Sequence, residues 1–271
     1  MKTWIAKHSV TSCYILTIIL SWGYWFALIA QGKVVTPGST VSHLPGLLGP
    51  ALAALLLTAY LEGKASLKDL LARMLRWRSA WPWGILLALS PIPVAIVVFL
   101  ALQLFGQPLP SLHDFQSFPG VPGNLSLGLL LLVVLVSNGY GEEVGWRGYM
   151  MEKCLPRYGK FGTTLRVTAL WLFWHIPTFM LNQSMAALVG PMLLGWAFGL
   201  ACGAFVLAHL YLLSGRSIFV LALWHMTYNM VVATPPAAGI PAAIISTAVM
   251  IWGVVIAWKW WREEHAKLPA S

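Results

Sequence analysis

The sequence predicts an all-α, polytopic membrane protein of about eight transmembrane helices bundled around an intramembrane polar site. Three observations lead there. Of 271 residues, 59% are hydrophobic and only 9% charged, and the mean hydropathy of +0.76 lies far outside the soluble globular range. Apolar runs recur at lengths near the roughly 20 residues that a helix needs to span a bilayer. Fifteen Trp and eight Tyr suit a chain that borders two membrane interfaces.

The apolar runs fall near 11–31, 44–62, 82–105, 125–152, 166–182, 186–213, 217–235 and 240–260. The basic residues between them test this division. Lys2 and Lys7 precede the first run, and Lys64, Lys68, Arg73, Arg76 and Arg78 follow the second. Lys153, Arg157, Lys160 and Arg166 follow the fourth. Arg216 follows the sixth, and Lys259, Arg262 and Lys267 follow the eighth. The other connections carry only Lys33. Alternation of this kind predicts cytoplasmic N- and C-termini, in what the compact chain suggests is a bacterial cytoplasmic membrane. The first run follows lysines as a signal peptide does, but it is longer than a usual signal core and lacks a small-x-small exit. It reads as a retained helix. With no internal repeat and no soluble segment, residues 1–271 read as a single integral-membrane domain.

Three lesser features have structural readings. Between 64 and 78, Leu67, Leu70, Leu71, Met74 and Leu75 share one helical face with basic residues around the other, which predicts an interfacial helix or a connector packed on the bundle. Ser66 and Asp69 resemble a capping box at its start. Gly195, Gly199 and Gly203 form a stripe of small residues that predicts close helix packing. The proline-rich stretch 106–124 reads as an external loop without chemistry.

The net charge of +9 is spread between apolar runs, so membrane orientation accounts for it and nucleic-acid binding is not expected. Cys13, Cys154 and Cys202 are widely spaced, with no CxxC, and read as apolar fillers.

Against this background, two adjacent carboxylates stand out. Glu142 and Glu143, with Arg147, lie in the fourth apolar run, in a chain with only eight acidic residues. An intramembrane carboxylate is costly and is by default a functional hypothesis. Successive helical residues are about 100° apart, so the two cannot share a face. Glu143 and Arg147, at i,i+4, can pair and neutralise each other, which leaves Glu142 free to meet another helix. His175 follows Trp171 by one turn, and His225 and Asn229 project together at i,i+4. By helical rise, Glu142 lies roughly 16 Å before Lys153, and His175 and His225 each about 13 Å beyond Arg166 and Arg216. These polar groups are therefore expected at similar depth. His209, without a partner pattern, reads as a packing residue.

The chemistry is narrowed by what is missing. No GxSxG surrounds a serine, no HExxH marks a zinc site, and Asp69 and Asp114 lie outside the apolar runs. What remains is a carboxylate and histidines acting on water. Glu142 could serve as general base, His175 could orient the water, and His225 and Asn229 could donate to an oxyanion. Glu142, His175 and His225 could equally hold a divalent metal such as zinc, which would then activate the water itself. A proton-coupled transporter using the same groups, and a non-catalytic membrane scaffold or immunity partner, are the alternatives from other classes.

The ordered motifs Glu142-Glu143…Arg147, Trp171…His175 and His225…Asn229 resemble the CPBP, or Abi, family of type II CAAX prenyl endopeptidases and bacteriocin-processing intramembrane proteases. The Leu-Pro-Gly-Leu-Leu-Gly-Pro stretch at 44–50 and the Gly215-Arg216-Ser217 turn are also similar to bacterial members. The motif-bearing core is about 120–235. The resemblance implies an eight-helix fold and peptide-bond hydrolysis at the cytoplasmic side. It implies Glu142 as the water-activating residue with the histidines around it, and a membrane-associated protein or peptide as substrate. The absence of HExxH favours a glutamate-type enzyme with no cofactor. Trp171 stands where the family usually has Phe, a change expected to alter packing rather than chemistry.

Overall fold

The computed structural model describes residues 2–78 and 82–266; Lys267, one of the orienting basic residues, lies outside them. The protein is an all-α membrane protein, and among the described residues no strand forms. Every apolar run of the sequence is largely helical. Five helical stretches are long and apolar enough to cross a bilayer: Ser9–Ala30, Leu44–Met74, Leu127–Leu181, Pro191–Leu213 and Ile240–His265. The third of these contains two of the expected runs. Two shorter apolar helices, Pro91–Gln103 and Ile218–Val232, accompany them.

After a short α1 (Lys2–Lys7), α2 (Ser9–Ala30) runs beside α3 (Leu44–Leu47) and α4 (Gly49–Leu57). Two buried side chains of α2 fix the contact: Ser21 Oγ donates to the Gly46 carbonyl at 2.7 Å, and Trp25 Nε1 to the His43 carbonyl at 2.9 Å. A π-helical turn, Thr58–Glu62, leads into α5 (Gly63–Met74), and α6 (Trp83–Ala88) and α7 (Pro91–Gln103) follow. The chain then passes α8 (Leu127–Val134), α9 (Gly141–Gly145), α10 (Glu152–Trp174) and the short α11 (Thr178–Leu181) and α12 (Gln183–Ala186). The long α13 (Pro191–Leu213), α14 (Ile218–Val232) and α15 (Ile240–His265) complete it. Val35 pairs its backbone with Leu181 and Gln183, at 2.8 and 3.0 Å, which ties the connection after α2 to the end of α11.

The small-residue stripe does not bring helix backbones together. Nothing lies within 4 Å of where a Cβ would stand on the exposed Gly195 or the buried Gly203, and at Gly199 only the end of Met250 is near. The close approaches lie elsewhere. Gly253 of α15 sits on the backbone of Cys202, and Gly139, Gly141 and Gly145 meet Ala222, Leu47 and Pro50. A Cβ on Gly145 would stand 2.7 Å from the Pro50 carbonyl carbon and oxygen. Gly145→Ala is therefore expected to lower stability by about 1–3 kcal/mol, the usual cost of overpacking. Gly195→Ala should be neutral or slightly stabilising, because only helix propensity changes there. Thermal unfolding of the two purified variants measures the contrast.

Helix α5 is strapped onto the bundle, and its expected faces divide. Leu70 is buried whereas Leu71 and Leu75 face outward. Arg73, expected on the solvated face, turns inward and donates to the Gly148 carbonyl at 3.1 Å and to Tyr211 Oη at 2.6 Å. Tyr140 Oη donates to the Met74 carbonyl at 2.8 Å. The Ser66–Asp69 capping box does not form. Helix begins at Gly63, so Ser66 has no free end to cap, and Asp69 instead pairs with Arg73 at 3.0 Å. A capping box does close at Ser111 and Asp114 in the outer loop. Hydrogen bonds from the Ser111 hydroxyl and backbone N–H hold the Asp114 carboxyl below its ordinary range.

Candidate active site

The two glutamates occupy a single five-residue α-helical segment, α9, between π-helical stretches Leu135–Tyr140 and Trp146–Met151. Wide turns of this kind rephase the side chains on either side and recur at functional sites. Glycines at 139, 141 and 145 let this helix press against α14 and α4, so both carboxylates are withdrawn from the bilayer into protein. Glu142 is 2% exposed, Glu143 0% and Arg147 2%.

Their partners differ. Arg147 Nη1 donates to both oxygens of Glu143, at 3.0 and 3.1 Å, as the i,i+4 spacing predicts. His225 Nδ1 lies 2.9 Å from Glu143 Oε1. Glu142 Oε2 instead accepts from Trp171 Nε1 at 2.7 Å. Of the two expected roles for the adjacent acids, the tied one falls to Glu143, now with two cationic or ionisable partners. Glu142 keeps one oxygen, Oε1, outside any such pairing. His225 thus bonds to Glu143 rather than directly to Glu142, although Glu142 remains within its electrostatic range.

Hydrogen bonding fixes both histidines. His175 caps the end of α10, and its Nδ1 lies 2.7 Å from the Trp171 carbonyl oxygen. A carbonyl only accepts, so Nδ1 carries the proton and the neutral ring presents its lone pair at Nε2. The carboxylate partner of His225 likewise places a proton on its Nδ1. Aromatic rings surround His175, with Trp171, Trp174 and Trp196 centred 5.7, 4.9 and 5.3 Å away. Asn229 lies half-buried on the turn after His225, and the side-chain hydrogen bonds of α14 run through His225, Thr227 and Tyr228 without it. His209 makes an edge contact with Trp260, 5.7 Å between centroids, in keeping with a packing role.

Trp171 is the site residue whose role the sequence did not disclose. Its ring also lies 4.7 Å from the Arg147 guanidinium carbon and 5.8 Å from the His225 ring. Beyond packing, its N–H bonds to Glu142, a contact that a Phe could not make. Depth explains the pairing. Gly159 breaks α10 with φ 66° and ψ −172°, and Glu264 of α15 accepts the Phe161 N–H at 2.9 Å, capping the second limb. Measured from Lys160, Trp171 lies about 16 Å along the limb, the level of Glu142, and His175 about 22 Å. Arg166 sits inside that limb and reaches back to the Gly162 carbonyl, so it was a poor depth marker.

Among the described residues no three of His, Cys, Asp and Glu are grouped so as to hold a metal ion, Glu142, His175 and His225 included.

Fold and site together define a polytopic all-α membrane protein with a buried, hydrogen-bonded cluster of acids, Arg, His and Trp. Residues 124–231 match the family model described as "Type II CAAX prenyl endopeptidase Rce1-like", and that segment contains every site residue named above. The motif resemblance is borne out over this segment. The chain is also 24% identical over 186 residues to "CAAX prenyl protease 2" of Methanococcus maripaludis. That match covers 66% of this chain and 65% of the relative.

Proposed function

We propose that the protein is an intramembrane endopeptidase that hydrolyses a peptide bond in a membrane-associated protein or peptide, a CAAX-type tail or a leader. The observation that carries this reading is the division between the two adjacent carboxylates. Glu143 is tied by Arg147 and His225, whereas Glu142 is held by one neutral donor and keeps an oxygen for water. The match of residues 124–231 to an endopeptidase family supports it.

In this mechanism Glu142 Oε1 takes a proton from water, and the water oxygen bonds to the scissile carbonyl carbon. His175 orients the water through Nε2. Two carboxylates and one guanidinium leave the cluster one positive charge short of neutrality, and a proton on His225 supplies it. His225 Nε2–H and the Asn229 amide then donate to the oxyanion. Collapse of the intermediate breaks the C–N bond, and the proton held by Glu142 passes to the leaving amine. The substrate enters from the cytoplasmic side, which the distribution of basic residues places at the Lys153 and Arg216 ends of the helices.

No step is routed through a metal, so cleavage should persist when the purified protein is treated with a strong zinc chelator. Activity lost to chelator and restored by added zinc would replace the glutamate mechanism. The substrate is sought by comparing membrane peptides from cells carrying wild type and Glu142→Gln. Fragments present only with wild type are expected. Identical peptide profiles, together with a Glu142-dependent proton flux in liposomes, would point to transport instead.

A further inference from the structure

We propose that Trp171 is a positioning residue for Glu142, selecting Oε1 as the oxygen that meets water. This rests on the reading of Glu142 as the water-activating group.

The geometry places Trp171 at the centre of the cluster. Its indole N–H donates to Oε2 at 2.7 Å, a charge-assisted bond inside the protein. The residue is 5% exposed, so the donor is shielded from bulk solvent. Its ring faces the Arg147 guanidinium at 4.7 Å and meets the His225 ring edge at 5.8 Å. Its carbonyl holds His175 Nδ1 at 2.7 Å. One residue therefore contacts the acid, the guanidinium and both imidazoles, through its N–H, its ring and its backbone carbonyl. A carboxylate on a two-torsion stem is otherwise free to rotate and exchange its oxygens. The indole bond removes that freedom and leaves a single oxygen presented.

Bulk alone would not require this. A buried aromatic that only filled space would act on stability and on substrate affinity, whereas an N–H aimed at one carboxylate oxygen acts on the proton-transfer step. Trp171→Phe separates the two, because it keeps a ring and removes the N–H. With the purified protein in lipid nanodiscs and a peptide identified by the membrane-peptide comparison, kcat should fall about 10- to 100-fold, the range expected for a lost hydrogen bond to a charged group. KM should stay within about threefold. An unchanged kcat, or a loss confined to KM, would overturn the proposal.

A second measurement needs no substitution of Trp171. In indole-15N-labelled protein, one Nε1–H resonance should shift between wild type and Glu142→Gln, and superimposable indole spectra would also overturn the proposal. The two readouts separate its failure from that of the functional reading. If wild type cleaves nothing, both fall, although the shifted resonance would still report the bond. If wild type cleaves and Trp171→Phe matches its kcat, only the positioning role falls.

Discussion

Replacing Glu142 by Gln is expected to abolish cleavage while leaving the protein inserted and folded. The substitution is close to isosteric, and the Gln side-chain oxygen can still accept the Trp171 N–H that now binds Oε2. What it removes is the basic oxygen. General-base catalysis contributes about 10²- to 10⁴-fold, so turnover should drop by at least that range and fall below detection in most assays. Yield, size-exclusion profile and thermal midpoint should remain near wild type, because Glu142 lies outside the Glu143–Arg147–His225 ties that hold the helices together. Full proteolysis by purified Glu142→Gln would sink the mechanism.

Arg147→Ala should behave in the opposite way, with its main effect on the folded state. Arg147 and Glu143 are 2% and 0% exposed, and removal of one partner from a buried pair costs about 3–5 kcal/mol. The loss is sharpened by the Trp171 ring, which would lose the guanidinium stacked against it. His225 remains on Glu143 and can offset part of the charge. The expected result is low membrane yield and a thermal midpoint well below wild type, measured in the same detergent. Wild-type yield and melting with Arg147→Ala would show that His225 alone satisfies Glu143. Arg147→Lys should not restore stability, since an ammonium cannot reproduce the planar contact with the indole.

Much of this was legible in the sequence, and the exceptions share a physical cause. The apolar runs, the Glu143–Arg147 pair and the i,i+4 placement of His225 and Asn229 all follow from regular helical geometry. That geometry is locally absent where the site is built. Two π-helical stretches bracket the glutamates, so phase counted at 100° per residue cannot say which acid meets α14. A left-handed glycine at 159 breaks α10, which shifts the depth scale and brings Trp171, not His175, level with Glu142. No sequence signal singled out Trp171. Trp22 and Trp25 give their indole N–H to backbone carbonyls, and Trp146, Trp174 and Trp224 bury theirs without a partner, so an indole in an apolar run does not by itself point to a glutamate. The Gly195–Gly199–Gly203 stripe failed for a related reason, because spacing identifies small residues on one face but not whether a neighbour lies against it.

The crowding around Gly139, Gly141 and Gly145 bears on how loss-of-function screens of this protein should be interpreted. Those glycines flank the acids within about two turns of one helix and carry no reactive group, yet any side chain there displaces the carboxylates by shifting their backbone. A mutational scan scored only by activity will merge two populations, residues that react and residues that leave no room to move. Scoring abundance alongside activity separates them: the glycine variants should fall in abundance, whereas Glu142→Gln should not.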